Sequence, residues 1–195
     1  MISFFIGLVG PSGSGKSTLA DAIEKEGVAK RFRMDAYYKS FEACPKTPDG
    51  RANYDVPESL DLERLYKDLC ALKRGETITM PVYDRAQERP VGTELFSPVP
   101  VLLIEGLFLY NEPRIRDLID LRLWIEAPEA LIKSRRADRQ GSTFDEAYYT
   151  HVVCEGQRRY VEPMRRFAKV VLDGSEPTEV VAARAKEAIE KWYNR

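Results

Sequence analysis

Residues Gly10-Pro11-Ser12-Gly13-Ser14-Gly15-Lys16-Ser17, continued by Thr18, have the types and spacing of a loop that cradles phosphates. Gly13 and Gly15 let the backbone curl so that successive N–H groups point at phosphate oxygens. Lys16 then reaches the terminal phosphates of a nucleotide, and the Ser17 hydroxyl can ligate Mg²⁺. A carboxylate follows at Asp35, within Arg33-Met34-Asp35-Ala36-Tyr37-Tyr38. In phosphoryl transfer such a group orients and deprotonates the attacking alcohol, while positioning and charge neutralisation supply most of the rate; otherwise it caps a loop. Glu105 closes the apolar run Val101-Leu102-Leu103-Ile104. There it suits a Mg²⁺ contact opposite Ser17, or an ion pair with a neighbouring base.

Arg135, Arg136 and Arg139 fall at i,i+3 and i,i+4 spacings and precede Gln140-Gly141-Ser142-Thr143. Guanidinium groups stabilise the charge on a transferring phosphate. The Gly-Ser-Thr turn would let this helix end close as a lid that excludes water. Two further segments carry groups suited to a polyhydroxylated acceptor: Asn53-Tyr54-Asp55, and Tyr83-Asp84-Arg85 with Glu88-Arg89. Asp55 could take sugar hydroxyls and Arg89 a phosphate or carboxylate, whereas Tyr37 and Tyr38 offer an aromatic wall or core packing. His151 is the single histidine, and no Ser/His/Asp or metal cluster assembles around it.

The elements that must position these residues alternate. Ile2–Val9, Ala29–Met34, Val99–Ile104, Leu121–Ile125 and Lys169–Leu172 read as strands, too continuously apolar for a one-sided sheet. Helices are expected at Ser17–Glu26, Ser59–Arg74, Pro128–Arg139, Phe144–Phe167 and Pro177–Tyr193, with Gly75 as a stop. The pattern predicts an α/β fold with a parallel sheet covered on both faces and ligands at the C-terminal strand ends. Every candidate above lies at that edge. The alternation is broken at Ala36–Pro57 and at Thr77–Pro98, the latter suited to a hairpin or lid-like excursion.

At 195 residues and 44% hydrophobic content the chain suits one domain, 1–195, with a sizeable core. Thirty basic residues against 31 acidic ones leave a net charge of −1, so no global field favours nucleic acid or an anionic membrane. The apolar start lacks a basic lead and meets the Gly-rich loop after nine residues, which fits neither a signal peptide nor a membrane span. A cytoplasmic location is the expectation. Cys44, Cys70 and Cys154 match no disulfide framework or zinc spacing. Nothing in the sequence specifies an oligomeric state.

With these positions in hand, the chain resembles the uridine kinase and phosphoribulokinase-like group of P-loop kinases, including the nicotinamide riboside kinases. The likeness runs over nearly the whole length. Gly10–Thr18, Asp35-Ala36-Tyr37-Tyr38, Tyr54-Asp55 leading into Pro57–Asp61, and Ile104-Glu105-Gly106 look like family motifs in family order. The resemblance implies a three-layer αβα sandwich on a five-stranded parallel sheet, ATP·Mg²⁺ as donor, and Asp35 as base. It also implies Asp55 on ribose hydroxyls and Arg136 and Arg139 near the phosphates.

Pro81-Val82-Tyr83-Asp84 through Arg89 is similar to the pyrimidine-site segment of uridine kinases, with Glu88 where those enzymes typically carry histidine. Tyr54-Asp55-Val56, Glu105 to Asn111, His151-Val152 and Val171 to Gly174 are similar to nicotinamide riboside kinases. Here the lid is shorter, and Gln140-Gly141 replaces the stacking aromatic. The expected activity is phosphorylation of the primary hydroxyl of a small-molecule nucleoside or ribosyl acceptor, with Asp35, Tyr38, Asp55, Tyr83, Glu88, Arg89 and Arg136 around it. The alternatives are a kinase of another hydroxylated metabolite such as a sugar phosphate, or a regulatory P-loop NTPase.

Overall fold

A computed structural model describes residues 3–194. The expected strand start at Ile2 lies outside the described residues. Five strands, β1 (Phe4–Val9), β2 (Lys30–Arg33), β5 (Val101–Glu105), β6 (Leu121–Glu126) and β7 (Val170–Asp173), form one parallel sheet in the order β2-β5-β1-β6-β7. β1 is central and feeds the phosphate loop, because strand alternation sends its buried side chains to both faces. Phe5 and Val9 join Phe32, Leu102, Ile104 and Trp124 in one core. Ile6 and Leu8 join Leu103, Leu123 and Leu172 in the other.

The first core is closed by helices α2 (Leu62–Lys73) and α3 (Pro113–Leu118). The second is closed by α1 (Lys16–Lys25) and α7 (Thr178–Tyr193). Each fully buried Leu, Ile or Phe contributes about 1.5–3 kcal/mol of transfer free energy, so the two cores hold the sheet rigid beneath its C-terminal edge. α2 is bounded at both ends by backbone chemistry. The Asp61 carboxylate accepts from Arg64 N–H at 3.0 Å. At its other end Gly75, at φ 84°, donates to Leu72 O while Glu76 donates to Ala71 O, both at 3.0 Å.

The expected excursion at Thr77–Pro98 is an antiparallel hairpin, β3 (Ile78–Asp84) and β4 (Arg89–Phe96), with a register shift between Val82 and Tyr83. It is moored by buried Ile78 and Met80 and by Phe96 packed edge-on against Phe32 at 5.3 Å. Helix α4 (Glu129–Gln140) carries the arginines.

Three expectations are corrected. The helix expected at Ser59–Arg74 is a 3-10 turn, Pro57–Ser59, followed by α2. The segment expected as one helix, Phe144–Phe167, begins at Glu146 and alternates α5 (Glu146–Tyr148), a π turn at Tyr149–Val153, α6 (Cys154–Gly156), a second π turn at Gln157–Val161 and 3-10 turns over Glu162–Phe167. Pro163 removes an N–H from the last stretch. Gly156 sits where an added Cβ would stand 2.3 Å from Asp55 O, so this segment must follow the loop it packs on. Finally, α3 was not anticipated, being a single short turn of helix opened by Pro113. Among the described residues no helix is long and apolar enough to cross a membrane.

Candidate active site

The C-terminal ends of β1, β2 and β5 open into a cavity of about 750 Å³ bordered by α4 and the hairpin. At one end lies the phosphate loop. Gly13 and Gly15 take φ of 102° and 106°, a region closed to most residues, and this curls the loop around the start of α1. The Lys16 ammonium donates to the carbonyls of Gly10 and Pro11, each at 2.8 Å. Desolvation brings its pKa down to about 8, opposed by the charge of Asp35 and aided by Arg139 and Arg136. Gly10, Pro11 and Ser14 stand behind the lining, whereas Ser12, Gly13, Gly15, Lys16, Ser17 and Thr18 face the cavity.

Two buried polar atoms beside the loop lack partners among the described residues: Ser14 Oγ and Arg136 Nε. A curled loop rich in N–H groups with a lysine beside it is the donor set an oligophosphate satisfies.

β5 delivers Glu105, whose Oε2 accepts from Ser17 Oγ at 3.0 Å, while Oε1 pairs with Arg31 of β2. One hydroxyl and one carboxylate next to a phosphate cradle are what Mg²⁺ requires, since it keeps several waters and takes the rest from phosphate. Among the described residues no cluster of three or more His, Cys, Asp or Glu forms a separate metal site.

The other end is walled by carboxylates and tyrosines. β2 runs into a 3-10 turn, Met34–Tyr37, that lifts Asp35 onto the cavity wall, where it forms an ion pair with Arg85 from the hairpin tip. Tyr37 turns into the core and donates to Asp68 at 2.7 Å, whereas Tyr38 lines the cavity. Tyr38 packs edge-on against Tyr54 at 5.5 Å and tilted against Tyr83 at 5.9 Å, and the Tyr83 and Tyr54 hydroxyls lie 3.3 Å apart. Beside Tyr83 the hairpin pairing shifts, Val82 facing Gly92 and Tyr83 facing Pro90, so the extra residue is Val91 of β4. Asp55 is buried in the wall, and burial pushes its carboxyl above the usual range against the opposing pull of Arg136. Glu88 also lines the cavity, at φ 50°, with its carbonyl accepting from Phe41 N–H at 2.8 Å.

α4 spans the two ends. Arg136 is buried and donates to Ser12 Oγ, Arg135 reaches Gly13 O at 3.4 Å, and Arg139 lines the cavity. Arg89 is the site residue the geometry does not support: at the start of β4 it is exposed, holds the Gln87 side chain at 2.8 Å, and lies outside the cavity lining. His151 is exposed and also outside it.

Residues 5–144 match the phosphoribulokinase / uridine kinase family. The chain belongs to this family. It is 30% identical over 179 residues to the uridine kinase of Leuconostoc citreum (strain KM20), covering 86% of this chain and 85% of that protein. Identity to the uridine kinase of Borrelia duttonii (strain Ly) is 32% over 182 residues, covering 86% and 84%. Among solved structures, a possible uridine kinase from Bacillus stearothermophilus shares the fold at TM-score 0.64 and 21% identity over 88% of this chain and 89% of that one. A gluconokinase from Sinorhizobium meliloti 1021 does so at TM-score 0.59 and 16% identity, over 99% and 95%.

As a member of the phosphoribulokinase / uridine kinase family the protein is an ATP-dependent P-loop kinase. The sequence assigns no role to Arg31 or Tyr148. Arg31 carries a signal, a charge inside a strand expected to be apolar. Tyr148, which lines the cavity, leaves no local signature, whereas Arg85 and Gly174, also in the lining, enter only as parts of longer segments.

Proposed function

We propose that the protein transfers the terminal phosphoryl group of ATP to the primary hydroxyl of a nucleoside or other ribosyl compound. The carrying observation is one cavity with Lys16, Ser17 and Glu105 at one end, Asp35 and Asp55 at the other, and Arg136 and Arg139 between them. Lys16 and the loop amides bind the β- and γ-phosphates. Ser17 and Glu105 would hold Mg²⁺, which supplies charge neutralisation on the phosphates when bound. Asp35 accepts the proton of the attacking hydroxyl, Asp55 orients the neighbouring hydroxyls, and Arg136 and Arg139 stabilise the charge that spreads over the phosphoryl oxygens. Tyr38, Tyr83 and Glu88 contact the remainder of the acceptor. The relatives named uridine kinase support a nucleoside in this place.

Arg85 favours a second reading. A guanidinium beside the proposed base suits an acceptor that brings its own phosphate or carboxylate, as a sugar phosphate does. Proton-coupled ³¹P NMR of the product separates the outcomes. The expected product is a phosphomonoester coupled to two protons, formed from a riboside that carries no anionic group. A product formed only from anionic sugars supports the second reading and overturns the first.

A further inference from the structure

Arg31 lies on β2, at the edge of the sheet, yet its side chain is only 6% exposed. Nη2 of its guanidinium donates to Oε1 of Glu105, itself 8% exposed, and Nη1 donates to Oδ1 of Asp21 on α1. The second Glu105 oxygen, Oε2, is the one that accepts from Ser17. Asp21 follows Ser17 by four residues and so shares its face of α1. One planar fork therefore ties β2, the end of β5 and the helix that opens at the phosphate loop. Its Nε is buried without a partner among the described residues, an unfavourable arrangement that sheet packing alone would not select over an apolar side chain.

We infer that Arg31 is a positioning residue for the Ser17–Glu105 pair. By occupying Oε1 it fixes the carboxylate plane, so that Oε2 is presented to Ser17 and to the divalent cation that accompanies the nucleotide. This rests on the role proposed above for Ser17 and Glu105 and is independent of the acceptor. A lysine cannot replace it, because a point charge does not span Asp21 and Glu105 at once.

The test is ADP binding by calorimetry, in EDTA and in saturating MgCl₂, for the wild type, Arg31→Gln, Arg31→Lys, Glu105→Gln and the Arg31→Gln/Glu105→Gln double variant. Mg²⁺ should tighten ADP binding in the wild type, and Glu105→Gln should remove most of that tightening. Arg31→Gln should reduce it by about 10- to 100-fold, leave Mg²⁺-free affinity within about twofold, and not be rescued by Arg31→Lys. The double variant should match Glu105→Gln alone, since the effect passes through that carboxylate. Tightening intact in Arg31→Gln but lost in Glu105→Gln overturns the inference alone. Tightening intact in Glu105→Gln overturns the metal role and the inference with it. Equal losses with and without Mg²⁺, or additive losses in the double variant, assign Arg31 to loop folding and also overturn it. Should Arg31→Gln not fold, Asp21→Asn loosens the exposed anchor of the same fork and must lower the Mg²⁺ tightening; no change there overturns it.

Discussion

At Lys16 the cavity withholds water from an ammonium group that a bound phosphate would re-solvate. With its pKa lowered by burial to about 8, the free protein carries this charge below that pH and loses it above. ATP binding then requires proton uptake, so log kcat/KM for ATP should fall with a slope approaching −1 above pH 8, and a flat profile to pH 9.5 would contradict the burial argument. In the ligand-free protein the unfolded chain binds the extra proton between about 8 and the ordinary lysine value of 10.5. This residue's contribution to stability therefore rises with pH over that window. Asp55 has the opposite sign: its raised carboxyl makes the folded state the better proton binder just above 3.8, and its contribution falls as pH rises through that range. Its burial is offset by no hydrogen bond to the carboxyl group among the described residues. Asp55→Asn should raise Tm by a few degrees, about 2–4 °C per kcal/mol for a chain of this size, while raising acceptor KM at least tenfold. Calorimetric scans and steady-state kinetics read both. Asp35→Asn should lower kcat by about 10²- to 10⁴-fold and leave ADP affinity within twofold; unchanged turnover would remove Asp35 as base.

Between elements, the site depends on close approaches that only a small residue permits. An added Cβ at Gly174, in the turn after β7, would stand 2.1 Å from Ser14 O. Gly174→Ala should therefore push the phosphate loop out of shape and weaken ATP binding at least tenfold with secondary structure preserved; circular dichroism with nucleotide titration checks this. Such contacts explain how much was legible in the sequence. The strands, the phosphate loop, Asp35 and Glu105 could be read because hydrophobic period and glycine spacing are local properties. The hairpin was legible as an excursion, but not its register shift at Val91, nor that Arg89 would fall outside the cavity lining, because strand register is decided by long-range pairing. The broken helix after Asp145 escaped for a related reason. Its Gly156 answers to the loop at Asp55, 101 positions earlier in the chain, rather than to its own neighbours.

For the molecule as a whole, the sheet places the phosphate loop and the Asp35 and Asp55 carboxylates at the two ends of one cavity, with a basic helix across the middle. A nucleotide switch needs only the first end. The presence of Asp35, Asp55 and four tyrosines, Tyr38, Tyr54, Tyr83 and Tyr148, in the same cavity favours transfer to an acceptor over transfer to water. Family membership makes the protein a kinase, and Glu88 and Arg85 at the acceptor end make its choice of alcohol the open chemical question. The most direct test is ADP release from ATP·Mg²⁺ measured against uridine, cytidine, nicotinamide riboside, ribulose 5-phosphate and pantothenate, in the wild type and Asp35→Asn. Release should depend on one of the three ribosides and be lost in Asp35→Asn. Release independent of acceptor, or supported only by ribulose 5-phosphate or pantothenate, would overturn phosphorylation of a riboside.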